Sequence, residues 1–302
     1  MIKVGYFPGC SLEGSSKEYN ESLLAVSKAC DIQLEEIHDW NCCGATAAHS
    51  LSKVLAISLP ARVLALAEKQ GFEDILVPCA ACYSRLLSAY HELNEDAELL
   101  EKVKNIVEID FSAKVKPFNV IEYIQKYIQP KLKEKIKMPL NANIACYYGC
   151  LLVRPPKLVD VERYEDPLMM ENIVKELGAN PLDWAFKTEC CGAGLSVSRT
   201  DIVGKLSGKI VDDAVSRGAN MLMVACPMCQ SNLDMRRSNI NSYLNKQIDV
   251  PVLFITQVIG LALGLSEKSL GLQRHFVPFK LELFDKPIPK ETLGKSKQVE
   301  EV

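Results

Sequence analysis

Two rhythms of apolar residues alternate along the chain. Short apolar runs at residues 2–7 and 74–77, with a strand-like stretch at 33–38 between them, have the length of strands. Between them, residues 19–29, 51–69 and those from about 84 onward repeat their apolar positions every three or four residues. This predicts helices, the second kinked at Pro60. The same order returns later, with strands expected at 143–147, 182–186 and 221–224 and helices at 169–177 and 206–216. Strand and helix in alternation predict an α/β fold, with parallel sheets carrying helices on both faces. A lysine-rich stretch, residues 121–137, reads as an exposed helical linker that Pro139 ends. The expected division is therefore a first domain over 1–138 and a second over 139–283. A proline- and charge-rich tail over 284–302 is expected to lie on a partner or to be disordered. Residues 153–167 read as a longer proline-rich loop.

The alternation is an internal repeat. Gly9-Cys10 is followed after thirty-one residues by Cys42-Cys43-Gly44 and then by Cys79-x-x-Cys82. Gly149-Cys150 is followed after thirty-nine residues by Cys190-Cys191-Gly192 and then by Cys226-x-x-Cys229. The flanks agree as well, ILVPCAAC with LMVACPMC and VKPFNVIEYI with VPVLFITQVI. Ten of the twelve cysteines thus belong to two copies of one five-cysteine pattern. Cys30 and Cys146 fall outside it and read as ordinary buried thiols.

Composition narrows the function. With 48% apolar residues and 24% charged, the chain can bury a core and is not a disordered segment. A net charge of −3 gives no basic footing for nucleic acid. No apolar run is long enough to span a bilayer, and MIKVGYFPGC lacks the apolar centre of a secretion signal, so a cytoplasmic location is expected. In that compartment structural disulfides are rare, and adjacent cysteines are badly placed to bridge each other. Metal binding explains the cysteines better. Cys10, the Cys42-Cys43 pair and Cys79 each follow a predicted strand at its carboxyl end. Open parallel sheets bind ligands there, and the free N–H groups of the following helices suit thiolates. Gly44 and Gly192 would allow close backbone approach or serve as turn glycines. Structural zinc takes four ligands in close pairs, whereas each half here offers five from three segments. Ferredoxin-type C-x-x-C-x-x-C runs are absent. A polynuclear iron–sulfur site of unusual geometry fits the spacing better, with zinc and redox-active thiols as the other readings.

The doubled C…CCG…C-x-x-C pattern resembles the cysteine-rich CCG-domain family. Lacking a fused flavin motif or ferredoxin module, the chain is similar to the HdrB component of the heterodisulfide reductases of methanogenic archaea. The resemblance covers roughly residues 2–279. It implies two tandem homologous CCG domains related by a pseudo-two-fold axis, each with a small parallel sheet flanked by helices. It also implies two noncubane [4Fe–4S] clusters. The matching positions are Cys10, Cys42, Cys43, Cys79 and Cys82 for one cluster. For the other they are Cys150, Cys190, Cys191, Cys226 and Cys229. The implied reaction, part of methanogenesis, reduces the coenzyme M–coenzyme B disulfide to two thiols. The clusters themselves would be the reactive groups, with no protein nucleophile. A cysteine nucleophile forming a mixed disulfide is the rival mechanism. Relatives with the same motif serve in thiol:fumarate reductases, succinate dehydrogenases and glycolate or lactate oxidation.

No G-x-G-x-x-G follows the first strand and no P-loop is present, so neither a flavin nor a nucleotide site is expected. Electrons would come from outside. The resemblance implies an iron–sulfur subunit (HdrC-like), a flavin-containing subunit (HdrA-like) and, indirectly, a hydrogenase or formate dehydrogenase. The implied substrate carries a sulfonate, a phosphate and a carboxylate. Arg154, Lys187, Arg199 and Arg85, all near the motifs, are the candidate anion ligands. His38 and His275 are candidate proton donors to thiolates. Trp40 and Trp184, shortly before the two CCG triplets, are candidate water shields or core residues.

Overall fold

Each half builds one four-stranded parallel sheet, and the two sheets have the same strand order. In the first, β1 (Ile2–Tyr6), β2 (Ile32–Glu36), β3 (Asp74–Leu76) and β4 (Lys116–Phe118) lie in the order β2-β1-β3-β4. In the second, β5 (Asn143–Tyr147), β6 (Asn180–Pro181), β7 (Met221–Val224) and β8 (Val252–Phe254) lie in the order β6-β5-β7-β8. This computed structural model describes residues 2–45 and 48–280; the expected tail over 284–302 lies outside the described residues. Register pairs Gly5 with Ile75, and Ile75 with Pro117; in the other half Cys146 pairs with Met223, and Met223 with Leu253. β5 and β7 are buried along their whole length, as continuous apolar runs in a covered parallel sheet should be.

The order has a consequence for ligands. From β1 the chain goes outward to β2, then crosses back over β1 to reach β3 on the other side. The direction of winding therefore reverses between β1 and β3, and likewise between β5 and β7. A crevice opens at such a reversal, outside the carboxyl ends of the two strands.

Several expected boundaries move. The helix expected over 51–69 is two pieces, Ala48–Leu51 and Lys53–Lys69, because the Ser52 hydroxyl accepts from the Leu55 N–H and starts a new helix; Pro60 lies inside the second piece. The helix expected from about 84 begins at Ala80, so Cys82 sits in its first turn. The strand expected over 182–186 is instead the two-residue β6 just before it. The Leu182 N–H makes a last bond to the Ile144 carbonyl, and the chain then leaves the sheet. Within the proline-rich loop, Pro156–Val159 turns into a short helix.

The lysine-rich stretch is not merely a surface linker. Ile121, Tyr123, Ile124, Ile128 and Leu132 are buried on one face. On the other, the Lys131 and Lys135 ammonium groups donate to the carbonyls of Cys30 and Ala29. These are the last carbonyls of helix α2 (Lys17–Ala29), left without intrahelical partners, and cations suit that end of a helix dipole.

The halves share one apolar core. Helix Ile255–Ala262 of the second half, buried throughout, packs on α2 of the first. Tyr19 of α2 stacks on Phe254 with ring centres 4.0 Å apart, and the Ser22 and Thr256 hydroxyls lie 2.7 Å apart. Among the described residues no helix is long and apolar enough to cross a membrane.

Cys30 and Cys146 are fully buried away from the repeated motifs. We expect Cys30→Ala and Cys146→Ala to cost about 1 kcal/mol each, against ~2–5 kcal/mol for Ile75→Ala in the central strand. Chemical denaturation checks the order; a larger loss at either cysteine than at Ile75 would mean that the thiol is more than packing.

Candidate metal centre

The two crevices receive the repeated cysteines in the same way. In the first half, the turn after β1 carries Cys10 into the short helix α1 (Gly9–Glu13). Cys79, just beyond β3, is the N-cap of helix Ala80–Glu95, and Cys82 follows one turn on. The loop after β2 brings Cys42 and Cys43. Cys43 and Cys82 have their sulfurs 3.1 Å apart, and Ser11 places its hydroxyl 3.9 Å from the Cys79 sulfur. In the second half Cys226 caps helix Pro227–Gln230, and the Cys191 and Cys229 sulfurs lie 3.7 Å apart. The CCG turns agree in detail: Gly44 N–H lies 3.4 Å from the Cys42 sulfur, and Gly192 N–H lies 3.4 Å from the Cys190 sulfur.

The glycines of both motifs are there for space as well as for the turn. Gly9 and Gly149 have φ of +63° and +68°. A Cβ at Gly9 would come within 3.2 Å of the Cys82 sulfur, and one at Gly149 within 2.8 Å of the Cys229 sulfur. The backbone thus crowds the thiols at positions where only glycine fits.

Exposure sorts the ten. Cys43, Cys79, Cys82, Cys191, Cys226 and Cys229 are buried, while Cys10, Cys42 and Cys190 are exposed and Cys150 half-buried. Each site therefore has a dry floor and an open side. Proton affinities follow. Hydrogen bonding from Cys82 holds the Cys79 thiol down at about 6, and hydrogen bonding from Cys150 does the same for Cys190. The Cys43 and Cys191 thiols are lowered by Cys82 and Cys229 respectively. Cys82, pressed by Cys43 and Cys79, and Cys229, pressed by Cys191 and Cys226, are driven strongly the other way and keep their protons. Thiolates pack this closely only with positive charge between them. A proton serves in part; iron or another soft cation offsets more, and a thiolate-rich site selects such metals. Among the described residues no three Cys, His, Asp or Glu side chains converge on a single-ion site. Cys10 lies within electrostatic reach of Cys42, Cys43 and Cys79, and Cys150 of Cys190, Cys191 and Cys226, so the donor chemistry of both sets fits an iron–sulfur group.

The remaining candidates are dispersed. Lys187 is buried, and its ammonium meets Asp166 at 2.7 Å and Glu171 at 3.3 Å; its carbonyl accepts from the N–H groups of Tyr148 and Gly149. Its charge is taken up inside the protein, where it braces the turn before Cys150. Arg154 donates to the Thr188 carbonyl and lies 3.7 Å from Glu165. Arg199 is exposed and paired with Asp201. Arg85, one turn after Cys82, lines a cleft of about 200 Å³ with Lys53, Ile57, Ser88 and Glu92. His38 is exposed and bonds Gln70 through its backbone. His275 is buried among Gln257, Gln230 and Asp234. Trp40 packs edge-on to Phe7, and Trp184 donates to the Cys146 carbonyl. Asn232, which sequence reasoning passed over, bonds the Cys191 carbonyl at 3.1 Å and approaches its sulfur at 3.6 Å. Its position three residues after Cys229 was the available signal.

The CCG cysteine-rich domain matches residues 4–86 and 144–234, more than half of the chain. The chain belongs to the CCG cysteine-rich domain family. It is 30% identical over 279 residues to the 8-methylmenaquinol:fumarate reductase membrane anchor subunit of Wolinella succinogenes, covering 91% of this chain and 97% of that one. It is 28% identical to the HdrB component of the ferredoxin/F420H2-dependent CoB-CoM heterodisulfide reductase of Methanosarcina acetivorans, covering 92% and 94%. Among solved structures, a hypothetical protein of Helicobacter pylori shares the fold with a TM-score of 0.74 at 13% identity, over 92% of this chain and 52% of that one.

Substitutions at the site separate its parts. Cys43→Ser and Cys191→Ser should each release up to half of the bound metal, measured per folded chain, because the two thiol sets lie on separate sheets; loss of all metal from either would join the sites into one. Lys187→Met should destabilise the protein by ~3–5 kcal/mol, since Glu171 is left buried without its cation. Unchanged stability in denaturant would return Lys187 to the groups free to bind an anion.

Proposed function

We propose that the chain is an iron–sulfur redox subunit holding two noncubane [4Fe–4S] clusters. One would be bound by Cys10, Cys42, Cys43, Cys79 and Cys82, the other by Cys150, Cys190, Cys191, Cys226 and Cys229. In this reading it reduces the coenzyme M–coenzyme B disulfide. The observation that carries the reading is the pair of like five-thiol sites, each on a winding reversal with a buried floor and an open side. The chemistry the clusters supply when bound is one-electron transfer, and two of them match the two electrons a disulfide takes up on becoming two thiols.

The chain's own residues do the rest. Cys43, Cys79 and Cys82, with Cys191, Cys226 and Cys229, keep water from the inner side of each site. The first turn of the helix starting at Ala80 aims the N–H groups of Ala81 and Cys82 at the Cys79 sulfur and so favours added negative charge. Arg85, one turn after Cys82, offers positive charge for an anionic substrate, whereas Lys53 of the same cleft is paired with Glu92 at 3.6 Å. Electrons arrive from a partner, for which an iron–sulfur subunit and a flavoprotein are the proposed donors.

A second reading is favoured by the fumarate reductase relative, which is matched over 97% of its length. In it the chain passes electrons within a quinol- or fumarate-linked complex and meets no disulfide. Anaerobic purification should give about eight irons with equal sulfide per chain; zinc as the main metal would overturn both readings. Reduced by an artificial donor, the protein should then consume the coenzyme M–coenzyme B disulfide and release two thiols. Inertness to the disulfide, with fumarate or quinone turnover in the assembled complex, would select the second.

A further inference from the structure

A run of bonds through Tyr19 joins the two thiol sites through the protein. Tyr19 lies in α2 of the first half and is wholly buried. Its hydroxyl donates to the Ala225 carbonyl of the second half at 3.1 Å, and Ala225 is bonded to Cys226. In the other direction the Tyr19 N–H donates to the Ser16 carbonyl at 3.1 Å, and the Ser16 N–H donates to the Ser11 carbonyl at 2.8 Å. Ser11 then reaches the Cys79 sulfur at 3.9 Å. An unbroken sequence of covalent and hydrogen bonds thus runs from Cys79 to Cys226. We propose that Tyr19 is the bridge through which an electron passes between the two sites.

Three features suit it to that task. Its ring is held flat against Phe254, with an angle of 2° between the planes, so the hydroxyl cannot swing away from Ala225. Its surroundings are apolar and dry, and nearby the helices carrying Cys10 and Cys229 touch each other. Burial pushes the phenol's proton affinity above its ordinary value, so Tyr19 is a neutral donor near neutral pH. In the transfer one electron leaves one site and arrives at the other; Tyr19 gains and loses neither electron nor proton. The bridge is needed if a donor reduces one site only, because a disulfide spanning the two sites takes one electron from each. The proposal rests on the iron–sulfur reading above, and Tyr19 acts as a positioning residue that touches no substrate.

The test compares the full-length, iron-loaded protein with Tyr19→Phe, which keeps the ring and removes the hydroxyl, and with Tyr19→Leu, which removes the ring as well. Iron and sulfide per chain are measured first, and all three proteins should agree. A flash-activated photoreductant then delivers fewer electrons than one per chain. Rapid freezing and electron paramagnetic resonance follow their redistribution, each site's spectrum being taken from the Cys43→Ser and Cys191→Ser proteins. Redistribution should slow several-fold in Tyr19→Phe and further in Tyr19→Leu, with the final populations unchanged. Equal rates in all three proteins at full iron content would overturn the bridge, as would altered populations at an unaltered rate, which mark a purely structural role. Wild-type protein that holds no iron would overturn the iron–sulfur reading itself, a result visible before any flash.

Discussion

Thiolates repel one another, and everything around the two sites answers to that. Bringing the buried sulfurs of Cys43 and Cys82 to 3.1 Å, with Cys79 beside them, concentrates negative charge in a dry place. Proton sharing alone splits the thiols into strong and weak acids, as Cys79 and Cys82 do. The fold adds positive potential from a helix N-terminus, placing Cys79 as the N-cap of helix Ala80–Glu95. The parallel sheets serve this arrangement, because only at a winding reversal do two loops and a helix start meet at one rim.

Much of this was legible in the sequence, and the reason is local. The strand runs, the helix periodicity and the five-cysteine pattern are properties of short segments, and β5 and β7 fall where the apolar runs place them. What was not legible depends on partners far along the chain. Lys187 reads as a cation free for substrate until Asp166 and Glu171 fold around it. The lysines at 131 and 135 read as linker charge until they meet the end of α2. Tyr19 carries no signal at all, because its partner lies 206 residues away. The early start of helix Ala80–Glu95 was missed for a different reason: Cys79 acts as a cap, a role that spacing rules reserve for Ser, Thr, Asp and Asn.

The repeat kept its frame while its polar contents diverged. In the first half Glu122 accepts from the Asn119 N–H at the start of its helix; in the second, Gln257 accepts from the Phe254 N–H at the equivalent place. The next partner differs. Glu122 meets the Tyr83 hydroxyl, beside Cys82, whereas Gln257 meets His275, which also contacts Gln230 beside Cys229. The carboxylate that meets a tyrosine near one site thus corresponds to an amide and a histidine near the other, where the carboxylate, Asp234, comes from a different position. Two thiol sets of the same composition sit in unlike electrostatic fields, and a field difference at this range changes how firmly each site holds an electron.

Such divergence is possible because both copies lie on one chain. A dimer of identical halves would repeat every contact, so Tyr19 would appear twice or not at all. Fusion lifts that restriction: α2 gives Tyr19 to the interface, and helix Ile255–Ala262 gives an almost wholly apolar face in return. The contact between halves is then free to be directional. A directional contact between two sites in unlike fields is what a one-electron relay requires, since the electron must prefer one end and have a fixed path to it.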